Sequence, residues 1–335
     1  MKASLIWDHK NDLRIPVEMG LPRADQMQGT IKENLCEVGG RVCYDSMGTG
    51  RDTKKFHSHL VEVAHWSVYE HARLELGFNL RDQAELIEIL LFLVGQPGIE
   101  IAHGYTTDYF GKHDETLTPL QLVVNVNLRH ILDWNKRDLE GNSVIAVFDA
   151  FGTLAKQEVP LVMNHLVVEE SYLNTFHSQR FEYRTLFLRG SRGFSHEMVR
   201  HRYSMSQRST RFCDESSGEW IKHPLLEPYL NELAYETGNT LDHYMNDHQV
   251  EAQELYDEMI RIMEPKLIAE GKDKLTARKQ ARGAARGYLG NALATELVFT
   301  APLSGWHDMI RQRHNPAADG EIYEIFKQVK EIIGD

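Results

Sequence analysis

Between Arg189 and Arg211 the chain reads RGSRGFSHEMVRHRYSMSQRSTR, with six arginines against one acidic residue, Glu197. No other stretch constrains the fold as strongly. The protein as a whole carries a formal net charge of −12, and guanidinium groups gathered in one place repel one another unless an anion lies among them. Ser204, Ser206, Ser209 and Thr210 are woven between the arginines. Forks, hydroxyls and backbone N–H groups in that mixture hold a compact phosphate rather than track a long polyanion. The stretch has no lysine, and an acidic chain repels a duplex at long range, so nucleic acid is not the expected partner. The remaining alternative is a solvated helix face. The pattern points to a phosphorylated small molecule.

Length and composition matter mainly for what they exclude. With 335 residues, 42% hydrophobic and 26% charged, the chain suits a globular protein that buries a sizeable core. No apolar run approaches the about 20 residues that a membrane span requires; Leu86 to Val94 is broken by Glu88 and stops at Gly95. The N-terminus is charged too early for a signal peptide. Cys36, Cys43 and Cys213 form neither a disulfide framework nor a metal knuckle, so a cytoplasmic location and no metal are expected.

Taken in order, the first seventeen residues carry β-prone runs that predict an edge strand or hairpin. The spacing of Met27, Ile31, Leu35 and Val42 predicts a helix from about Asp25 to Tyr44, interrupted at Gly39-Gly40. Thr53 to Ala64 reads as an amphipathic helix. Leu74 and Leu76, alternating with Arg73 and Glu75, open a half-buried strand. Asp82 to Val94, Leu120 to Trp134 and Ser143 to Lys156 read as helices, and Val159 to Val168 as a strand. Phe181 to Leu188 reads as a second strand, running into a helix Ser195 to Arg202 capped by Ser195. His223 to Gly271 is helical, with Leu241, Tyr244, Met245, His248, Leu255, Met259 and Met263 on a core face. Arg282 and Arg286 lie one turn apart on a helix near the end. No internal repeat is legible, and one compact domain is expected.

HEMVRHR followed by SQRSTRF resembles the signature of the flavin-dependent thymidylate synthases. Arg200, His201 and Arg202 match the Arg-His-Arg triplet, and Ser209, Arg211 and Phe212 match the Ser-x-Arg-aromatic end. The spacing is one residue shorter than in the family, which leaves the loop path and the role of Tyr203 open. GGRVCYDS resembles an element placing Cys43 near the flavin; on the residues alone, Cys43 is a small buried side chain. His65, Ser67, Glu70 and His71 resemble a His-x-Ser/Thr-x-x-Glu-His element, implying flavin contacts from the first three and support from His71. Near the end, Arg286 and Thr295 fall in register with a segment whose arginine reaches the nucleotide from a neighbouring subunit. Arg313 matches the arginine closing the last family segment. There Pro302, Ser304 and Asp308 replace the usual asparagine, arginine and asparagine or histidine. NVNLRHILDW resembles the family's own Asn-x-Arg-x-Leu helix. It reads either as an ordinary amphipathic helix or as a source, at Asn127 and Arg129, of the flavin contacts missing from Pro302 and Ser304.

The resemblance covers roughly residues 25–78 and 184–330. It implies an α+β fold in which a central antiparallel sheet is flanked by helices, as a single domain with a mostly helical insertion at about 79–183. The implied reaction is reductive methylation of dUMP to dTMP. Methylenetetrahydrofolate gives the carbon, reduced FAD the hydride, and NADPH re-reduces the flavin, in a homotetramer with shared active sites. Implied dUMP contacts are Glu197, Arg200, Gln207, Arg208, Ser209, Thr210, Arg211, Arg286 and Arg313. Arg313 is the catalytic candidate, because a cation beside the pyrimidine stabilises charge on the ring as its N3–H weakens. Implied FAD contacts are Cys43, His65, Ser67, Glu70, Arg200, His201, Arg202, Gln207, Ser304 and Asp308. Two other readings stay open: the same fold acting on UMP or dCMP as a methylase or hydroxymethylase, and a non-catalytic nucleotide-binding homologue.

Overall fold

The computed structural model describes all residues except 9–12, 17–18, 20–26, 47–51, 106–119, 234–237 and 335. In chain order its elements are β1 (Lys2–Asp8), α1 (Ile31–Tyr44), α2 (Thr53–Glu62), β2 (Arg73–Leu80), α3 (Gln83–Leu93), β3 (Glu100–Tyr105), β4 (Leu120–Asn127), α4 (Leu128–Trp134), α5 (Asn142–Glu158), α6 (Pro160–Met163) and β5 (Asn174–Phe176). There follow β6 (Tyr183–Ser191), α7 (Arg192–Met198), β7 (Ser204–Gln207), α8 (Leu241–Ala269), α9 (Lys274–Ala285), β8 (Ala294–Pro302), α10 (Leu303–Arg313) and α11 (Gly320–Ile333). The α+β class is as expected, but the strands form two four-stranded sheets, ordered β1-β6-β8-β7 and β3-β4-β2-β5. Every neighbouring pair is antiparallel. The expected edge strand is β1.

The segment 79–183 is less helical than its sequence suggests, since it supplies β3, β4 and β5. Within the expected helix Leu120 to Trp134, the β-branched run LQLVVNVN forms a strand, and only the remainder is helical. The junction is Asn127. Its Oδ1 accepts from the His130 amide at 3.1 Å while its own amide donates to His130 Nδ1 at 3.2 Å, closing a cap that ends the strand and starts α4. The strand expected at Val159 to Val168 is instead the short α6, where Pro160 at the first helical position presets φ.

Helix α1 starts on a capping box, Thr30 with Glu33, and runs unbroken through Gly39-Gly40; Asp25, the expected start, lies outside the described residues. Those glycines mark close approach rather than a break. A Cβ at Gly39 would sit 2.9 Å from His71 Cδ2 and 3.0 Å from Ser206 Oγ, and one at Gly40 would sit 2.9 Å from the Phe56 ring. Helix α7 begins earlier than predicted. Its cap is Ser191, whose Oγ accepts from the Phe194 amide at 3.0 Å. Ser195 is interior, its hydroxyl donating to the Arg192 carbonyl at 2.8 Å.

The first sheet is covered on both faces. Leu186, Leu188, Phe299, Trp306, Ile322 and Phe326 form a core under α7, α10 and α11, while Ile6, Leu35, Val38, Phe187 and Val298 form one with α1. Around the second sheet Phe78, Leu122, Val124, Trp134 and Phe151 lead a third cluster. Each such side chain contributes about 1.5–3 kcal/mol on burial. The expected core face of α8 is not buried: Tyr244 is 46% and Leu255 45% exposed. Only Ala252 and Tyr256 of that helix are buried, because α8 meets the rest of the chain along one strip with Ala285, Leu289 and Leu293.

Candidate functional site

Strand β7 carries Ser204 to Gln207 into the turn that holds the serine–arginine end of the motif. The Ser209 amide donates to the Cys43 carbonyl at 3.0 Å, and its own carbonyl accepts from Phe212 and Cys213. This tight turn buries Thr210. Its Oγ1 lies 3.4 Å from Nη1 of Arg286, at the end of α9, and 3.5 Å from Nη1 of Arg192, at the start of α7. Among the described residues no carboxylate pairs with either guanidinium. Burial and the charge of Arg286 both hold the Arg192 pKa below its ordinary value, with Glu215 opposing. Two partly buried cations converging on one hydroxyl form a cradle for an anion. Arg211 is exposed beside it, its Nε 3.8 Å from the position a Cβ would take at Gly283. Arg286 reaches Thr210 of its own chain.

Other arginines of the run are already committed. Arg208 pairs with Asp45 at 2.7 Å and with buried Glu215 at 3.3 Å. Arg189 pairs with Glu219 at 2.6 Å and with Glu296 at 3.8 Å. They tie the turn to α1 and β8. Gln207 does similar work, donating to Ser195 Oγ at 3.0 Å and to Thr295 Oγ1 at 3.3 Å.

A second cluster lies where α10 ends against the Arg-His-Arg triplet. Arg313 donates from Nη1 to Glu197 at 2.8 Å and from Nε to His201 Nε2 at 3.1 Å. Glu197 also accepts from the exposed Arg200 at 3.2 Å. Burial, then the charge of Arg313, lowers the His201 pKa, while Glu197 opposes the shift. The carboxylate and imidazole fix the orientation of Arg313, leaving a partly buried cation held ready to face a ligand.

The residues matched to the flavin are dispersed. Glu70 and Arg202 line a pocket of about 390 Å³ between the two sheets, together with Arg73, Asn127, Arg129 and Tyr203. Cys43, His65, Ser67, Ser304 and Asp308 do not line it. The Cys43 thiol is pushed up to about 11 by burial and is inert as a nucleophile. His65 Nδ1 bonds the Tyr44 hydroxyl at 2.7 Å. Ser304 is exposed, and Asp308 pairs with Arg311 on the outer side of α10. Glu70 pairs with Arg129, and its carbonyl accepts from the Ser204 hydroxyl at 3.0 Å. His71 is buried between Thr300 Oγ1 at 2.8 Å and Ser206 Oγ at 2.9 Å. Sequence reasoning missed Arg192 and Arg137, another residue lining the pocket. Arg192 stood in the arginine run, but nothing local showed that it turns toward Thr210.

Fold and site together define an α+β protein with one arginine cradle and one arginine-lined pocket, both suited to anionic small molecules. Residues 157–335 match the family model described as thymidylate synthase complementing protein. The chain belongs to that family. It is 35% identical over 153 residues to the flavin-dependent thymidylate synthase of Corynebacterium diphtheriae, covering 44% of this chain and 56% of that one. It is 36% identical over 136 residues to the enzyme of the same description from Mycolicibacterium gilvum, covering 40% and 50%. The chain thus spans about half the length of the curated relatives it matches. A crystal structure of the Helicobacter pylori flavin-dependent thymidylate synthase, complexed with FAD and dUMP, aligns at TM-score 0.28 and 22% identity over 45% of this chain and 67% of that one. That likeness is too low to carry an argument.

Proposed function

We propose that this protein is a thymidylate synthase that reductively methylates dUMP to dTMP, using methylenetetrahydrofolate, FAD and NADPH. The observation that carries the reading is the cradle at Thr210, where Arg192 and Arg286 converge with no carboxylate of their own among the described residues. A 5′-phosphate supplies the missing charge, with Arg211 and Ser209 at its rim. Arg313 is the residue to stabilise charge on the pyrimidine as N3–H weakens, a contribution of about 3–4 kcal/mol for one well-placed donor in a dry site. Glu197 and His201 hold its guanidinium in place, which lowers the cost of orienting it during reaction.

The residues of the pocket between the sheets fit a flavin dinucleotide. Arg137 and Arg202 suit a pyrophosphate, Arg129 stands beside them held by Glu70 and Asp133, Tyr203 offers a ring face, and Asn127 completes the polar wall. Bound flavin supplies the hydride chemistry. The side chains supply position, charge and exclusion of water. The apolar residues left exposed on α8, Tyr244 and Leu255 among them, favour a homotetramer in which this helix is covered. The three cysteines are free and buried, in keeping with a cytoplasmic enzyme. No helix among the described residues is long and apolar enough to cross a membrane.

The test is product analysis. Purified protein is incubated with dUMP, methylenetetrahydrofolate and NADPH, with UMP and dCMP in parallel. The expected result is a yellow protein that forms dTMP from dUMP alone. A colourless preparation with no methylated product from any of the three would overturn the reading.

A further inference from the structure

The two sheets are built alike. In the first half of the chain β2 leads into α3, then β3, β4, α4 and α5; in the second half β6 leads into α7, then β7, β8, α10 and α11, with α8 and α9 inserted between β7 and β8. Each sheet places the third of these strands between the other two. The registers agree residue by residue. Arg73, first in β2, faces Asn127, last in β4, as Tyr183 faces Pro302. Glu100, first in β3, faces Asn125, as Ser204 faces Thr300. The Leu128 amide donates to the Ala72 carbonyl at 2.9 Å, and the equivalent Leu303 amide to Glu182 at 2.7 Å. A positive φ recurs two places before each second strand, 80° at Gly98 and 58° at Arg202.

The leading strands are exchanged: β1 pairs with β6 of the second half, and β5 with β2 of the first. The equivalent residues Arg73 and Tyr183 touch each other, with Nη2 donating to the phenol at 2.7 Å and the guanidinium 4.5 Å from the ring centre. Contact between like positions is the mark of an approximate two-fold axis relating two copies of one unit.

We infer that the chain is a tandem pair of one fold unit, whose first copy serves as a resident partner contributing Arg129 and Arg137 to a single composite site for an anionic cofactor. The same registers place Gln96-Pro97-Gly98 where the second copy has Arg200-His201-Arg202. They also place Pro302 and Ser304 where the first copy has Asn127 and Arg129. Each copy keeps the cations that the other lacks. The pocket at the axis receives arginines from both sides, Arg129 and Arg137 from the first copy and Arg202 from the second, beside the carboxylates Glu70, Glu100 and Asp133. Arg129 is held by Glu70 and Asp133. Arg137 and Arg202 are exposed, and among the described residues no carboxylate pairs with either. The equivalent positions Gln96, Pro97, Gly98 and Pro302 carry no cation and line the same pocket, so the two copies share one site at the axis. Its ligand is a heteroaromatic molecule with an anionic tail, either a pyrophosphate or glutamate carboxylates. This deepens the proposed function and rests on it, because that reading supplies the three molecules of this chemistry.

Full-length wild type, R129Q and R137Q are titrated by calorimetry with FAD, NADPH and methylenetetrahydrofolate in turn, and with dUMP as a control. The expected result is one flavin per chain, with at least one of the three cofactors bound roughly tenfold more weakly by both variants. Binding of dUMP stays within about twofold of wild type, and the cofactor that weakens identifies the tail held by the arginines. Arg137 is exposed and has no carboxylate partner among the described residues, so R137Q keeps the fold, which its melting temperature verifies. Cofactor affinities within about twofold of wild type in both variants, or two flavins per chain, overturn the inference. If dTMP is still made in that case, the proposed function survives. The expected weakening in a chain that makes no dTMP removes the function alone. Wild type that binds none of the three cofactors removes both.

Discussion

Arg313 donates from Nε to Nε2 of His201 at 3.1 Å, a geometry that needs a neutral imidazole with its proton on Nδ1. Burial and the Arg313 charge hold the His201 pKa below the ordinary 6.5, so the ring is neutral at pH 7. As the pH falls through that lowered value the ring gains a proton, the bond to Arg313 breaks and two cations face each other. Turnover of dUMP is expected to fall on the acid side below the ordinary histidine value. R313Q removes one of the two causes of the shift, so the His201 pKa in that variant rises toward 6.5, as followed by carbon NMR of labelled histidine. An unchanged His201 titration in R313Q sinks the argument.

The cradle at Thr210 predicts opposite effects of one substitution on stability and on binding. R192Q and R286Q each remove a charged fork from the phosphate, and each is expected to weaken dUMP roughly tenfold while leaving deoxyuridine unaffected. Without nucleotide, R192Q relieves its repulsion with Arg286. Its melting temperature at low salt is therefore expected to equal or exceed that of wild type, with the difference fading as salt is added. A variant that melts lower and binds dUMP normally shows Arg192 to be only a packing residue.

Several residues of the candidate site are legible in the sequence, and the gaps share a cause. The arginine run, the Arg-His-Arg triplet and Arg313 could be located because each signal is local and its chemistry is specific. The capping box at Thr30 and the amphipathic α2 could be read for the same reason. Asn127 was misplaced within a helix because its cap geometry depends on His130 folding back, which no periodicity reports. The tandem repeat left one trace in the sequence, the likeness of NVNLRHILDW to the family's own Asn-x-Arg-x-Leu helix, and little elsewhere, since strand registers constrain only which positions are apolar and many residues satisfy that. Arg208 illustrates the converse. It sits among ligand candidates in sequence, yet its carboxylate partners Asp45 and Glu215 come from other parts of the chain.

Gly39 lets α1 approach the motif strand closely enough for His71 and Ser206 to touch it. A Cβ there would stand 2.9 Å from the His71 ring and 3.0 Å from Ser206 Oγ, both in a packed interior. Gly39→Ala is therefore expected to cost roughly 1–3 kcal/mol in urea unfolding, despite alanine's better helix propensity. The same change should weaken cofactor binding more than dUMP binding, because Ser206 neighbours the Ser204 and Glu70 wall of the pocket. Unfolding at wild-type urea concentration would show that the interior can yield.

His71 is a fully buried source of acid sensitivity in the fold. Its two ring nitrogens are taken by Thr300 and Ser206, and Thr300 Oγ1 in turn lies 2.6 Å from Thr185 Oγ1. Burial lowers its pKa to about 3, from 6.5 in an exposed ring. Between those values the unfolded chain binds a proton that the folded chain refuses, so stability is full above pH 6.5 and is lost as the pH falls toward about 3. The loss is about 1.4 kcal/mol per pH unit for one such group. Buried His57 and His130, each lowered to about 4, add to the same slope. H71Q keeps a hydrogen-bonding side chain but cannot titrate. It is expected to be less stable than wild type at pH 7.5 and to lose stability more gently between pH 6 and 5. Urea unfolding at these pH values measures both slopes. Parallel curves for H71Q and wild type would mean that His71 is charged in the fold, and that the hydroxyls around it hold an imidazolium instead.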